Sequence, residues 1–330
     1  MRRFLTGVIG CLFIATGTVI AQTPLPAASG QAYPSKPVRI IVPFPPGGYT
    51  DVTARIIAQG LSERLGQPFL VENRPGAGTV IGTEVVARAQ PDGYTLLCTG
   101  ASTFSVNPVL LRNLPYDPLK SFAAVGIVTR TPMVLIVHPS FPANSVKELV
   151  ALATANPGKY AYGSFGSGTI SNFAGEAFAA TTGARMLHVP YKGSAPLMSD
   201  LIGGQVQVSF DTLVVAAPQM RAGKVKALAM LTKDRTSLFP EVPTVAESGY
   251  PGFDVGTWVA MASAAGTPEA VIRKLREEVT AIVSQKDIIA RFEALGVEAV
   301  KPTAEDFTRN VQSELQRFTK IARDADIKAE

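Results

Sequence analysis

Between an apolar run at Val38–Val42 and a stretch with helical spacing, the chain reads Phe44-Pro45-Pro46-Gly47-Gly48-Tyr49-Thr50-Asp51. A turn in this position exposes backbone N–H groups at a helix N-terminus. The positive end of the helix dipole favours an anion there by roughly 0.3–1 kcal/mol, and up to about 2 kcal/mol when partly buried. The chemistry on offer is a carboxylate cradle made of backbone. The alternative is conformational: the glycines turn the chain and Thr50 or Asp51 caps the helix. Both readings are compatible. A second loop, Gly163-Ser164-Phe165-Gly166-Ser167-Gly168-Thr169-Ile170-Ser171, again lies after a strand and before a helix. Its glycine spacing resembles a phosphate-binding loop, but Thr169 follows Gly168 where that loop needs lysine, which argues against an NTPase. Small hydroxyls and N–H donors are left, which also suit a carboxylate. A third such turn is His188-Val189-Pro190-Tyr191-Lys192-Gly193-Ser194-Ala195-Pro196. Asp211, at the end of another strand, either accepts from a ligand hydroxyl, amine or water or caps the next helix.

The parts for catalysis are missing. No G-x-S-x-G elbow or S-x-x-K pair supplies an activated serine. His138 and His188 are the only histidines, too few with one mature cysteine for a zinc set. Gly76-Ala77-Gly78 followed by Gly82 only weakly echoes a dinucleotide fingerprint, with the third glycine one residue too far. The expectation is a binding protein without cofactor, not an enzyme.

The elements that must position these loops alternate. Val38–Val42, a helix carrying Ala54, Ile57, Leu61 and Leu65, Phe69–Glu72, a helix near Thr79–Arg88 and Tyr94–Thr99 form a βαβαβ unit with a parallel sheet. Apolar runs at Ala124–Val128 and Val134–Val137 meet at Arg130-Thr131-Pro132, read as one strand leaving a first lobe and another entering a second. The second lobe repeats the alternation: a capping box Ser145-Val146-Lys147-Glu148, strands at Tyr160–Gly163, Met186–Val189, Val206–Phe210 and Leu228–Met230, and helices from about Thr169 and near Pro196–Ile202. Val255–Met261 crosses back. Three helical stripes follow, one opened by Thr267-Pro268-Glu269 and the last carrying Phe307, Val311, Leu315 and Phe318. This gives an α/β protein with lobe 1 at residues 36–131 and 255–330 and an inserted lobe 2 at 132–254. Ligands in such sheets settle beyond the carboxyl ends of the strands, where all three loops belong.

At the N-terminus, Arg2-Arg3 precede an uncharged apolar run, Phe4 to Ala21, ending Val19-Ile20-Ala21. This pattern predicts a signal peptide over 1–21, cleaved after Ala21, a disordered leader over 22–35, and a periplasmic location. Lipidation at Cys11 and twin-arginine export are alternative routes that the same residues allow. Without the peptide the charge is 29 basic against 26 acidic residues, a net of +3, and no Lys/Arg run reaches four. No nucleic-acid footprint follows from that. Only Cys98 is left in the mature chain, so its stability rests on core rather than on an internal disulfide.

Taken together the motifs resemble one family, the extracytoplasmic solute receptors of tripartite tricarboxylate transporters, the Bug receptors. The resemblance is carried by Pro46-Gly47-Gly48 with Asp51, Glu72-Asn73-Arg74-Pro75-Gly76-Ala77-Gly78, Pro91-Asp92-Gly93-Tyr94-Thr95-Leu96, Gly168-Thr169, His188-Val189-Pro190-Tyr191-Lys192-Gly193 and Phe239-Pro240-Glu241-Val242-Pro243-Thr244. It implies a type II periplasmic-binding-protein fold, two α/β lobes joined by two crossing strands with the ligand cleft between them. It also implies a monomer that captures a small di- or aromatic carboxylate by lobe closure and delivers it to membrane transporter subunits. A sensor that presents the liganded state to a membrane kinase is the alternative. The implied ligand-binding residues are Phe44, Gly47, Gly48, Tyr49, Thr50 and Asp51 in the first loop, Ser164, Gly168 and Thr169 in the second, Asp211 beside them, and Ser102 and Thr103 after the Tyr94–Thr99 strand. Tyr49 and Asn172 depart from the family pattern and are where ligand choice is expected. Tyr49 would stack on a flat ligand or donate to a distal carboxylate.

Overall fold

A computed structural model describes residues 33–324 and 327; the predicted signal peptide and most of the leader lie outside the described residues. The elements run β1 (Val38–Val42), α1 (Tyr49–Leu65), β2 (Phe69–Asn73), α2 (Val80–Ala87), β3 (Thr95–Gly100), α3 (Asn107–Leu110) and β4 (Phe122–Val137). The chain continues through α4 (Val146–Ala155), β5 (Ala161–Ser164), α5 (Ile170–Thr182), β6 (Leu187–Pro190), α6 (Ser194–Ile202), β7 (Val208–Thr212), α7 (Leu213–Arg221) and β8 (Lys226–Met230). It ends with β9 (Gly256–Ala264), α8 (Glu269–Val283), α9 (Lys286–Glu293), β10 (Glu298–Ala299) and α10 (Ala304–Asp324).

In the first lobe β2, β1 and β3 are parallel, β9 adds antiparallel to β3, and the first part of β4 pairs antiparallel with β9. In the second, the far part of β4 pairs with β7 and β8, and β7, β5 and β6 run parallel. The two apolar runs expected as separate strands on either side of Arg130-Thr131-Pro132 are one continuous strand. Pro132 is tolerated because the ladder needs no donor from it: Arg130, Thr131 and Pro132 stand opposite Trp258, Thr257 and Gly256, and the pairing passes to β7 and β8 from Met133 on. The second crossing is short, Val255 donating to the Leu231 carbonyl (2.7 Å) before β9 begins. Both sheets present fully buried β-branched and aliphatic side chains, among them Ile40, Ile41, Val134, Leu135 and Ile136, as sheets covered on both faces require.

Several local expectations shift. Ser145 Oγ accepts from Glu148 N–H (3.2 Å), but the Glu148 carboxylate reaches back to Asn144 N–H (2.7 Å) rather than to Ser145. Thr267 does not cap α8; its hydroxyl donates to the Ala264 carbonyl (2.7 Å), and the Pro268 carbonyl takes the first helical bonds. On α10 the buried stripe is Phe307, Val311, Glu314 and Phe318, with Glu314 in the place expected for Leu315. The leader ends sooner than residue 35: Tyr33 donates to the Gly93 carbonyl (2.7 Å), its ring meets Tyr94 edge-on, and Ser35 N–H donates to Tyr94 Oη (2.9 Å). Among the described residues no helix is long and apolar enough to cross a membrane.

Candidate functional site

The three loops meet, as their positions after strands require, at the carboxyl ends of both sheets. A small cavity there, about 40 Å³, is bordered from the first lobe by Phe44, Pro45, Gly48, Tyr49, Thr50 and Gly100-Ala101-Ser102. The second lobe contributes Phe165, Ile170, Gly193, Ser194 and Thr212, and β9 contributes Thr257 and Trp258. The lobes touch around it: the Phe44 and Phe165 rings meet edge-on at 6.2 Å. A side-chain carbon on Gly47 would lie 4.0 Å from Ala195 Cβ, and one on Gly193 would lie 3.1 Å from the Pro45 ring.

Backbone donors converge on this cavity. α1 begins after Gly48 and α6 after Gly193, and neither N-cap residue supplies a capping side chain, so the first-turn N–H groups of both helices face each other across the lobes without one. Gly193 adopts φ +106°, ψ 170°, a region open essentially to glycine alone. Asp51 holds the α1 turn from behind. Its carboxylate accepts from Gly47 N–H (3.0 Å), Arg55 Nε (3.0 Å) and Asn73 Nδ2 (2.9 Å), and it is 3% exposed. Burial works against its charge, but these hydrogen bonds outweigh it and hold the carboxyl below the usual range. Asp51 and the Gly47 N–H are thus spent on each other, which makes Asp51 a brace rather than a contact.

The second loop is placed differently from expectation. Gly168 and Thr169 do not border the cavity. A side-chain carbon on Gly78 would lie 2.9 Å from the Ser167 carbonyl, and one on Gly168 3.6 Å from Asn107 Oδ1, so this loop seats on the first-lobe turn at Ala77–Thr79. Its donors are consumed internally: Gly168 N–H by Asn172 Oδ1 (3.2 Å) and Gly166 N–H by Ser164 Oγ (3.2 Å), with Ser164 Oγ also 2.7 Å from His188 Nε2. Asn172, expected to read the ligand, instead ties its own loop and donates to Tyr162 Oη (3.3 Å). Ile170 does reach the cavity, and its N–H is taken by Ser102 Oγ (3.0 Å), a hydrogen bond between lobes. Thr103 lies deeper, bonded to Thr79 and Thr99 (2.8 and 2.7 Å). Lys192 is exposed and does not border the cavity.

Tyr49 borders the cavity, but its hydroxyl donates to Thr129 Oγ1 (2.8 Å) inside the first lobe. Burial drives its pKa far up, and the expected donation to a distal carboxylate is closed off. Asp211 is fully buried behind the cavity wall. Its Oδ1 accepts from Thr212 N–H (2.7 Å) and Ser194 Oγ (3.0 Å), while Oδ2 has no partner. Desolvation by burial pushes its pKa up to about 6 against those same hydrogen bonds. Trp258, the sole tryptophan, was not singled out by its motif context. It stacks on Phe104 (5.9 Å between centroids, 9° between planes) and donates Nε1–H to Glu314 Oε2 (2.9 Å). A lone tryptophan on the strand expected to cross back was the available signal. Gly193 and Ser194 lay within the third loop already noted.

A larger groove, about 1030 Å³, lies along Arg130–Pro132, the segment from Thr232 to Leu238 and α10. None of the residues expected to bind ligand borders it, and its arginines are paired, Arg317 with Asp254 and Arg235 with Glu247. The helix termini converge on the smaller cavity and not on the groove.

The sequence model of the Tripartite tricarboxylate transporter family receptor matches residues 53–327. The chain is 37% identical over 329 residues to protein BugT of Bordetella pertussis (strain Tohama I), covering 99% of both. Its structure resembles the periplasmic binding protein BugD (37% identity, 90% of this chain and 100% of that one, TM-score 0.86). It also resembles R. palustris Rpa4515 solved with adipate (34%, 90% and 99%, TM-score 0.87) and MatC from Rhodopseudomonas palustris solved with malate (33%, 88% and 99%, TM-score 0.83). The fold is that of a two-lobed periplasmic binding protein, and the chain belongs to the receptors of the tripartite tricarboxylate transporter family.

Proposed function

We propose that this protein is an exported periplasmic receptor that closes its lobes on a small carboxylate and hands it to the membrane subunits of a tripartite transporter, acting as a monomer and without turnover. The observation that carries the reading is the pair of helix N-termini, α1 and α6, left without capping side chains and brought together across the lobes at one cavity. Two dipole ends and several N–H groups suffice for micromolar affinity, about −8.2 kcal/mol, when each hydrogen bond to a charged group contributes about 1.5–3 kcal/mol. Adipate and malate in two related structures support the same ligand chemistry. The proposed seat is the Gly48 and Gly193 turns, with Ser102, Thr50 and Ser194 beside them, and Gly168, Thr169, Asn172 and Ser164 shape the second loop without touching ligand. In a thermal-shift panel, carboxylates raise the melting temperature and the matching amides do not. Equal shifts from acids and amides would refute the anion cradle.

A further inference from the structure

The groups the cavity offers an anion are backbone N–H groups and hydroxyls. Four helix N-termini border it, those of α1, α5, α6 and α7, none with a capping side chain, and two of them have an N–H already taken: Ile170 N–H by Ser102 Oγ (3.0 Å) and Thr212 N–H by Asp211 Oδ1 (2.7 Å). The aromatic wall is turned so that its polar atoms point away. Tyr49 spends its hydroxyl on Thr129, and Trp258 spends its indole N–H on Glu314, so neither residue bordering the cavity has a side-chain donor left for the ligand. Phe44, Phe165 and Ile170 add apolar residues to the same border. No arginine, lysine or histidine side chain borders the cavity among the described residues. Behind its walls stand two buried carboxyl groups: Asp211, with one oxygen unpartnered, and Glu314, 7% exposed. Arg317 stands 3.9 Å from Glu314, but Asp211 has no cation beside it among the described residues, so a second ligand carboxylate would lose its water without gaining a cation from the cavity lining, which is the costly way to bury a charge.

Resting on the carboxylate reading above, we propose that this receptor selects a monocarboxylate with an apolar body and discriminates against the dicarboxylate of the same skeleton. Ligand choice then comes from what Tyr49 and Trp258 withhold, with Thr129 and Glu314 as the positioning residues that keep their donors away.

The test is calorimetry on the mature protein with matched sets: hexanoate, adipate and hexanamide, and benzoate, terephthalate and benzamide. The expected result is that in at least one set the monocarboxylate binds at least tenfold more tightly than both the dicarboxylate and the amide. Dicarboxylates that bind as tightly as monocarboxylates, with amides silent, overturn the selectivity and leave the carboxylate reading standing. Amides that bind as well as acids overturn the carboxylate reading itself, and silence from every compound counts against both. A second arm uses Phe44→Arg, at a partly exposed position on the rim of the cavity. It is expected to move the ratio toward the dicarboxylate by at least tenfold, and an unchanged ratio in a variant of normal melting temperature overturns the proposal.

Discussion

Replacing Asp51 with alanine removes the acceptor that holds the α1 turn in shape. Two donors around the buried carboxylate would lose their charged acceptor: Gly47 N–H and the half-buried Asn73 Nδ2, the latter keeping only its bond to the Phe44 carbonyl. Hydrogen bonds to an ionised group contribute about 1.5–3 kcal/mol each. Arg55 is half exposed, so its ion pair adds about 0–1 kcal/mol. The expected cost of Asp51→Ala is about 3–5 kcal/mol, and of Asp51→Asn about 1–3 kcal/mol, because asparagine still accepts from Gly47. Urea unfolding followed by Trp258 fluorescence measures both, with Arg55→Ala as the control for the ion pair. The sign of the pH dependence follows from the lowered carboxyl pKa. The contribution is fully present above the unfolded value of about 3.9 and is lost as pH falls through the lower folded value. Wild type and variant should therefore converge in stability only in acid. If Asp51→Ala unfolds within about 0.5 kcal/mol of Arg55→Ala at pH 7, the brace is not a brace and the reasoning fails.

Gly193→Ala puts a side chain where φ is +106° and where its carbon would lie 3.1 Å from the Pro45 ring across the cleft. Backbone strain of about 1–3 kcal/mol and blocked closure should weaken carboxylate binding at least tenfold by titration, and wild-type affinity would contradict the seat assigned to α6. Glu314→Gln keeps an acceptor for the Trp258 indole but removes a charge whose burial raises the carboxyl pKa, with Arg317 and Arg130 working the other way. A raised acid pKa means stability present below about pH 4.5 and lost as pH rises through the folded value. The variant's melting temperature should therefore match or exceed wild type at neutral pH and lose that advantage in acid, which a melting series across pH checks.

The alternation of strands and helices was legible because each element carries its own period and cap, as in the Ser145 box or the α1 stripe. The loops at strand ends were legible too, since glycines at helix starts announce themselves. What was not legible is which donors are already spent. Gly168 N–H is claimed by Asn172 and Gly47 N–H by Asp51, each four residues on, and the glycines themselves do not announce either bond. Likewise the direction of the Tyr49 hydroxyl is set by Thr129, eighty residues away on β4, a contact that no local pattern encodes. Trp258 and Glu314 meet through the packing of α10 on the crossing strands, which depends on the whole topology.

The unbroken ladder of β4 past Pro132 has a mechanical meaning. A loop between lobes bends freely, like a pin joint, but a strand paired through the crossing can change the angle of its lobes only by altering its twist. Any change in the angle between the lobes would therefore twist the Arg130–Met133 segment against its partners at Gly256–Trp258. Trp258 is part of that ribbon and of the cavity wall alike, so such a twist would reach the cavity directly.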